Sequence, residues 1–461
     1  MHHTLQSPDK QFWKKLIDIG LPISLQAMLF SLLGVVDIFM VSQLGESATA
    51  AVGVGNRIFF FNLIVISGTS GAVSVLASQY FGANDLSGIK RTLAQTWAVA
   101  LLITIPFVAL YTLLPEAIVS VVASEPEYIR LASEYLWITG ISLVLTAVVV
   151  PMESALRAVG QAKMPTNVSI IAIIINVVLN GLLIFGLFGF PELGVVGAAI
   201  GTTLSRLAQT FMLFYMVNKR YSHLFPTKKS WRDSLQTAHR HRFSKVATPM
   251  IVHDTAWAGG LVIYSIIVGQ LGISELAIIS LLSPIESVLI SAFLGFAVAA
   301  SIILGNEIGA KNYQRVSDTA WWYVISSCVL AMLLAGICML AEPFIFNLLS
   351  RSPLTDPGLA VDVCLVMAFG MILKVFNMVG IGGVLKSGGD IKYSIFIDLF
   401  GQWAIGIPLA YFTGIVLGWP LHYVMMAILL EEVIKIFLTA QRIQSKKWVN
   451  NLIEEPAPSP I

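Results

Sequence analysis

Polar side chains are scarce in this chain, and chemistry is to be sought where they lie deep in long apolar runs. Asp37 sits about five residues before the far end of the run at 16–42. Asn176 and Asn180, four apart and so on one helical face, lie in the run at 164–188, with Asn180 about eight residues from its far end. Thr202 lies about eight residues inside the run at 194–217. At roughly 1.5 Å per helical residue the four groups reach one level. A carboxylate, two amide carbonyls and a hydroxyl are hard oxygen ligands, suited to a proton or to a small cation such as Na+. The alternative is a structural network, since Asn and Thr bridge membrane helices for about 1 kcal/mol or less per bond. Asp37 favours function, because a charge at mid-bilayer costs roughly 3 kcal/mol or more. It stands as the one carboxylate well inside the first half of the chain.

The second half offers secondary candidates. Asp254 follows His253 early in the run at 247–270, Lys374 is central in 358–385, and Asp398 is in the inner third of 392–415. Lys374 with Asp254 or with Asp398 forms a neutralising pair or a substrate contact; Glu286 and Glu307 lie near run ends, where water reaches them. Pro22, in Gly20-Leu21-Pro22, is either a first-turn proline or a hinge about four turns from Asp37. Cys328, Cys338 and Cys364 show no metal-ligand spacing, so no firm metal site and no cofactor are expected.

These residues need elements to hold them. The 461 residues are 56% apolar and 12% charged, against about 25% charged in soluble domains. A soluble enzyme, a nucleic-acid binder and a disordered regulator are thereby excluded. Runs of about 20 apolar residues cross a bilayer. Twelve are read: 16–42, 52–81, 92–113, 130–156, 164–188, 194–217, 247–270, 280–308, 318–343, 358–385, 392–415 and 420–441. Without alternation they are helices, giving an all-α polytopic membrane protein of twelve transmembrane helices. Of 28 Lys and Arg, Arg206, Lys374 and Lys435 lie in spans, and Arg57, Arg130 and Arg351 fall on one side. All others fall on the opposite side, which the positive-inside rule makes cytoplasmic, with both termini there. The basic stretch 221–245, with His239-Arg240-His241-Arg242, needs no nucleic-acid, lipid or metal role beyond connecting two halves. The tail after Trp448, with Pro456, Pro458 and Pro460, reads as disordered.

Shifted by 227 residues, 22–95 aligns without a gap on 249–322: Pro22 meets Pro249, Gln43-Leu44-Gly45 meets Gln270-Leu271-Gly272, and Gly82-Ala83 meets Gly309-Ala310. Asp37 falls on Tyr264, so the second half folds without a carboxylate there. Leu156-Arg157-Ala158-Val159-Gly160 is similar to Leu385-Lys386-Ser387-Gly388-Gly389 at a shift of 229. Two parallel six-helix lobes follow. The domains are an N-terminal lobe at 1–217, a basic cytoplasmic linker at 218–246, a C-terminal lobe at 247–443 and a cytoplasmic tail at 444–461.

Pro22 through Gly45, with Val36-Asp37-Ile38, resembles the first helix of the MATE (multidrug and toxic compound extrusion) transporters. Asn176-Val177-Val178-Leu179-Asn180-Gly181 and Leu193-Gly194-Val195-Val196-Gly197-Ala198-Ala199 resemble their fifth and sixth helices, and Leu385-Lys386-Ser387-Gly388-Gly389-Asp390 their loop between helices 10 and 11. The resemblance implies a non-enzymatic, secondary active exporter of amphipathic or cationic drugs, working by antiport with protons, or with sodium, through alternating access. It implies a monomer among membrane lipids of the bacterial inner membrane, with small-molecule drugs and no nucleic acid as partners. In the DinF-like branch the coupling site maps onto Asp37, Asn176, Asn180 and Thr202. That branch often carries Asp where Asn180 stands, so the single charge here favours protons. In the NorM-like branch C-lobe carboxylates couple sodium; Asp254 falls near that position but not on it, which places the chain closer to the DinF-like branch. A lipid or lipid-linked-sugar flippase of the same superfamily is the alternative, but such proteins carry more arginines in their cavity. An embedded enzyme has only His253-Asp254 as candidate, adjacent residues expected on different helix faces.

Overall fold

The computed structural model describes residues 8–120, 125–349 and 356–454, and among these holds helices and turns but no strand. Arg351 and the three tail prolines lie outside the described residues. Twelve long helices account for the twelve spans: α1 (Lys10–Ser42), α2 (Glu46–Gly82), α3 (Leu86–Leu113), α4 (Pro126–Ala158), α5 (Lys163–Phe185), α6 (Gly194–Arg220), α7 (Thr237–Leu271), α8 (Ile273–Gly309), α9 (Tyr313–Leu340), α10 (Pro357–Leu385), α11 (Ile391–Val416) and α12 (Leu421–Gln444). α5 stops three residues short of its apolar run, because Gly186 turns left-handed at φ 65°. α9 ends at Leu340, where a short helix Glu342–Leu349 begins. Ten of the twelve are apolar enough over 18 residues to cross a membrane on composition alone. The two others, α6 and α12, carry Thr202, Ser205, Arg206 and Gln209, and Glu431, Glu432 and Lys435. Their polarity is that of the sites they bear.

The repeat is visible in the backbone. Gly45 between α1 and α2 and Gly272 between α7 and α8 both hold positive φ (107° and 157°), which a side chain would resist. Asn84 and Lys311, again 227 apart, both take the left-handed conformation (58° and 64°) after α2 and α8. Asp85 then caps α3, accepting the Gly88 N–H at 2.9 Å.

The chain divides into two compact units: Leu25–Asp254, and Met1–Ser24 with Thr255–Ile461. The divisions fall inside α1 and inside α7. In the first unit α2 packs on α4, α4 on α3 and α6, and α5 on α6. Small buried residues such as Ala51, Gly55, Ala147 and Ala155 let the helices approach without the help of water exclusion. Tyr135 lies over Gly55 and donates to Asn56 Oδ1 at 2.8 Å.

In the second unit α10 is central, against α8, α9 and α12. The first fifteen residues of α1 belong to this unit. The Phe12 and Tyr323 rings meet tilted by 44°, with centroids 4.7 Å apart, Gly20 meets Gly295 backbone to backbone, and Ser24 Oγ donates to the Ala292 carbonyl at 2.5 Å. After α12 the chain folds back over the α10–α11 loop. Trp448 is fully buried against Gly388, the Asn450 N–H donates to the Gly388 carbonyl at 3.0 Å, and Glu454 pairs with Lys311 at 2.5 Å.

Candidate functional site

Asp37, Asn176, Asn180 and Thr202 come together in the first unit, on α1, α5 and α6. Asn180 Nδ2 donates to Asp37 Oδ1 at 2.8 Å and to Asn176 Oδ1 at 3.3 Å. Asn176 Nδ2 in turn reaches Thr202 Oγ1 (3.4 Å) and Ser205 Oγ (3.3 Å). Asn176 and Asn180 are buried, whereas Asp37 and Thr202 are partly exposed. Gly201 makes this possible: a Cβ there would collide with the Asn180 carboxamide. The buried Asn180 Oδ1 has no hydrogen-bond partner. Among the described residues no cation stands within ion-pair distance of Asp37; Arg206 instead donates to Gln209 Oε1 at 2.9 Å and lies 5.2 Å over the Phe30 ring. One helical turn beyond the site, Val41, Ile184 and Ala198 belong to a packed apolar layer with Tyr135, Val52 and Val195.

On the other side of the site lies a second polar cluster, centred on Glu153. Glu153 on α4 is 5% exposed and accepts from Gln26, Ser169, Gln209 and Arg157 at 3.0–3.2 Å. Arg157 also donates to Gln26 Oε1 at 2.8 Å. Asp37 is therefore not the one carboxylate deep in the first half. The difference is that Glu153 is paired and fully hydrogen-bonded, which lets its charge stay buried. The sequence held a signal: Ser169 stands seven residues before Asn176, and Ser205 and Gln209 lie three and seven after Thr202, so one polar stripe runs along each of α5 and α6.

The secondary candidates pair otherwise than expected. Lys374 binds Glu286 at 2.5 Å, not Asp254 or Asp398; Glu286 lies on the neighbouring helix α8 and is only 19% exposed, not solvated at a helix end. Asp254 Oδ1 contacts His253 Nδ1 at 2.8 Å, so these neighbours do meet despite their 100° offset on the helix. Asp398 is 3.9 Å from Lys435. Lys435 is the centre of the second unit's polar cluster: it is ion-paired to Glu431 and lies 3.8 Å from Glu432. Tyr264 donates to Glu431 Oε2 at 2.6 Å, and Asn377 Nδ2 to Glu432 Oε2 at 2.7 Å. Helix α11 reaches this cluster through a π-helical stretch, Phe400–Gly406, in which Gly401 and Gly406 leave room for Lys435 and for the Tyr264–Glu431 pair. Glu431 and Glu432 share the apolar run at 420–441 with Lys435, and the (i, i+4) spacing of Glu431 and Lys435 is the signal that could have found them.

The MatE family model matches residues 22–182 and again 249–412. The chain belongs to the MATE family. The double match falls on the two repeats that the 227-residue shift defines. Among relatives of this MATE protein, the uncharacterized transporter YisQ of Bacillus subtilis (strain 168) is 24% identical over 96% of each chain. A probable multidrug resistance protein NorM of Bradyrhizobium diazoefficiens is 26% identical over 82% of each. The fold matches an outward-facing multidrug resistance MATE transporter of the MOP superfamily with TM-score 0.85 at 18% identity, over 94% of this chain and 96% of that one. This MATE chain is thus a twelve-helix membrane transporter, not an enzyme.

Proposed function

We propose that this MATE protein exports amphipathic or cationic small molecules from the cytoplasm across the bacterial inner membrane, exchanging them for protons at Asp37. The observation that carries the reading is the orphaned Asn180 Oδ1, next to a carboxylate with no cation within ion-pair distance among the described residues. A buried acceptor without a donor costs about 1–3 kcal/mol. Protonation turns one Asp37 oxygen into a donor, and a turn of the Asn180 carboxamide, which now presents its NH2 to Asp37, would bring its unpaired oxygen round to receive it. Loading and unloading a proton then rearranges the bonds that tie α1 to α5 and α6. Sodium is the alternative ion, but Asn180 presents its NH2 group to Asp37, leaving one carboxylate to oppose the cation. A cationic cargo is favoured by the second unit, where the four carboxylates Glu431, Glu432, Asp398 and Glu286 gather around two cations, Lys435 and Lys374. The protein would act as a monomer, without a cofactor, and the names of its NorM relatives agree with drug export.

The proton must alter the cargo pathway, because a ligand that binds both states equally shifts nothing. Gly20 and Ser24 fasten the start of α1 to α8, and Pro22 between them breaks the helix hydrogen-bond ladder. Bending of α1 at Pro22 would then move the Leu25–Ser42 stretch that carries Asp37. The deciding experiment is purified protein in liposomes, with drug movement driven separately by a pH gradient and by a sodium gradient. Movement under the pH gradient alone is expected; movement under sodium alone overturns the proton assignment, and movement under neither overturns antiport.

A further inference from the structure

The short helix Lys228–Ser234 between α6 and α7 has one face that the protein covers and one that it does not. Ser230 and Ser234, four apart, are buried, and the Ser234 carbonyl accepts from Gln95 Nε2 at 2.8 Å. Gln95 lies at the start of the apolar stretch of α3, so the short helix rests at the level where α3 enters the membrane. At about 100° per residue, the uncovered face carries Trp231 and Leu235 along one edge and Lys228, Arg232 and Lys229 along the other. Trp231 is 39% and Leu235 69% exposed. Thr227 caps the helix, accepting the Ser230 N–H at 3.2 Å, so this presentation is held in place.

Orientation by positive charge explains the cations but not an exposed tryptophan and leucine outside the spans. Residues 218–246 hold eight Lys and Arg against one acidic residue, Asp233, and among the described residues none of the eight has a carboxylate within ion-pair distance. Apolar and basic edges side by side at membrane level form the pattern of an interfacial helix. We propose that residues 227–235 are a foot that binds anionic phospholipid, with Trp231 and Leu235 entering the acyl boundary and Lys228, Lys229 and Arg232 on headgroup phosphates. A zwitterionic surface would supply the apolar contact without the charge.

The test uses full-length protein in which Cys328, Cys338 and Cys364 are replaced by Ala and a nitroxide is attached at Leu235→Cys. It is reconstituted in phosphatidylcholine, or in equal parts phosphatidylcholine and phosphatidylglycerol. Collision with oxygen and with a water-soluble nickel complex reports the label's depth. Immersion is expected in the anionic vesicles only, with the label shifting toward water in Lys228→Gln/Lys229→Gln/Arg232→Gln, roughly fivefold in partitioning per removed cation. Trp231→Gln should reduce depth while keeping the dependence on phosphatidylglycerol, which guards against a variant that merely misfolds. A label equally wet in both membranes, or equally immersed in both, overturns the proposal. Release of the label by soluble RNA or an acidic protein at constant ionic strength would give the patch to that partner instead.

Discussion

In the first unit a carboxylate on α1, Asp37, is linked through Asn180 and Asn176 to a hydroxyl on α6, Thr202. In the second the hydroxyl is on α7, Tyr264, and the carboxylate on α12, Glu431. The repeat relates Asp37 to Tyr264 at a shift of 227, and at the shift of 229 Thr202 falls on Glu431 and Arg206 on Lys435. The acid has changed helices, and its cation has changed behaviour. Lys435 is bonded to Glu431, so that site carries its own tethered cation. Arg206 turns to Gln209 and Phe30, leaving Asp37 to an amide. One framework thus yields a carboxylate held by an ion pair and a carboxylate held by an amide.

The largest effect expected from this contrast is at Asp37. Asp37→Asn keeps a hydrogen-bonding group of the same size and should lower pH-driven drug export to the level of empty vesicles, while the protein still inserts and melts as the wild type does. Export by the variant, with its pH profile intact, would end the assignment. Lys435→Met should do the reverse. It leaves Glu431, Glu432 and Asp398 together without their ammonium, and breaking a buried pair costs about 3–5 kcal/mol, read as a fall in melting temperature or in recovered folded protein. A variant as stable as the wild type would show that Lys435 does not hold the cluster.

The polar depth of Asp37, Asn176, Asn180 and Thr202 could be read from the sequence because a helix in lipid turns residue number into height. Which residues pair could not, since pairing depends on which helices are neighbours. Lys374 finds Glu286 because α8 packs on α10, a fact of tertiary contact that no spacing encodes. The helices themselves were legible from apolar runs, whereas the π-helical turn that brings α11 to Lys435 has no comparable signature: Phe400–Gly406 reads as a plain continuation of the span.

A subtler change converts one kind of site toward the other. Asn180→Asp sets a second carboxylate where the amide now touches Asp37 at 2.8 Å. Two such groups share a proton or hold a cation between them. Transport by this variant should acquire a dependence on sodium and a displaced pH profile; an unchanged response to both would mean that Asp37 and Asn180 do not form one site. The smallest effect belongs to Tyr264→Phe, which deletes one donor to Glu431 and should cost about 1 kcal/mol of stability with transport retained. Loss of transport there, in a protein that melts normally, would give the second unit a share in coupling.

The placement of the division inside α1 bears on how the protein is made. α1 is synthesised before α8, so Gly20 and Ser24 wait for partners, Gly295 and Ala292, that lie roughly 275 residues later. At about 5–20 residues per second of synthesis, this stretch stays unpartnered for on the order of 15–55 s. Through that interval this stretch of α1 lacks the contacts that fasten it in the folded protein. Its fit is checked only when α8 is complete, so faults around Gly20 should surface as late assembly failures rather than as failures of insertion.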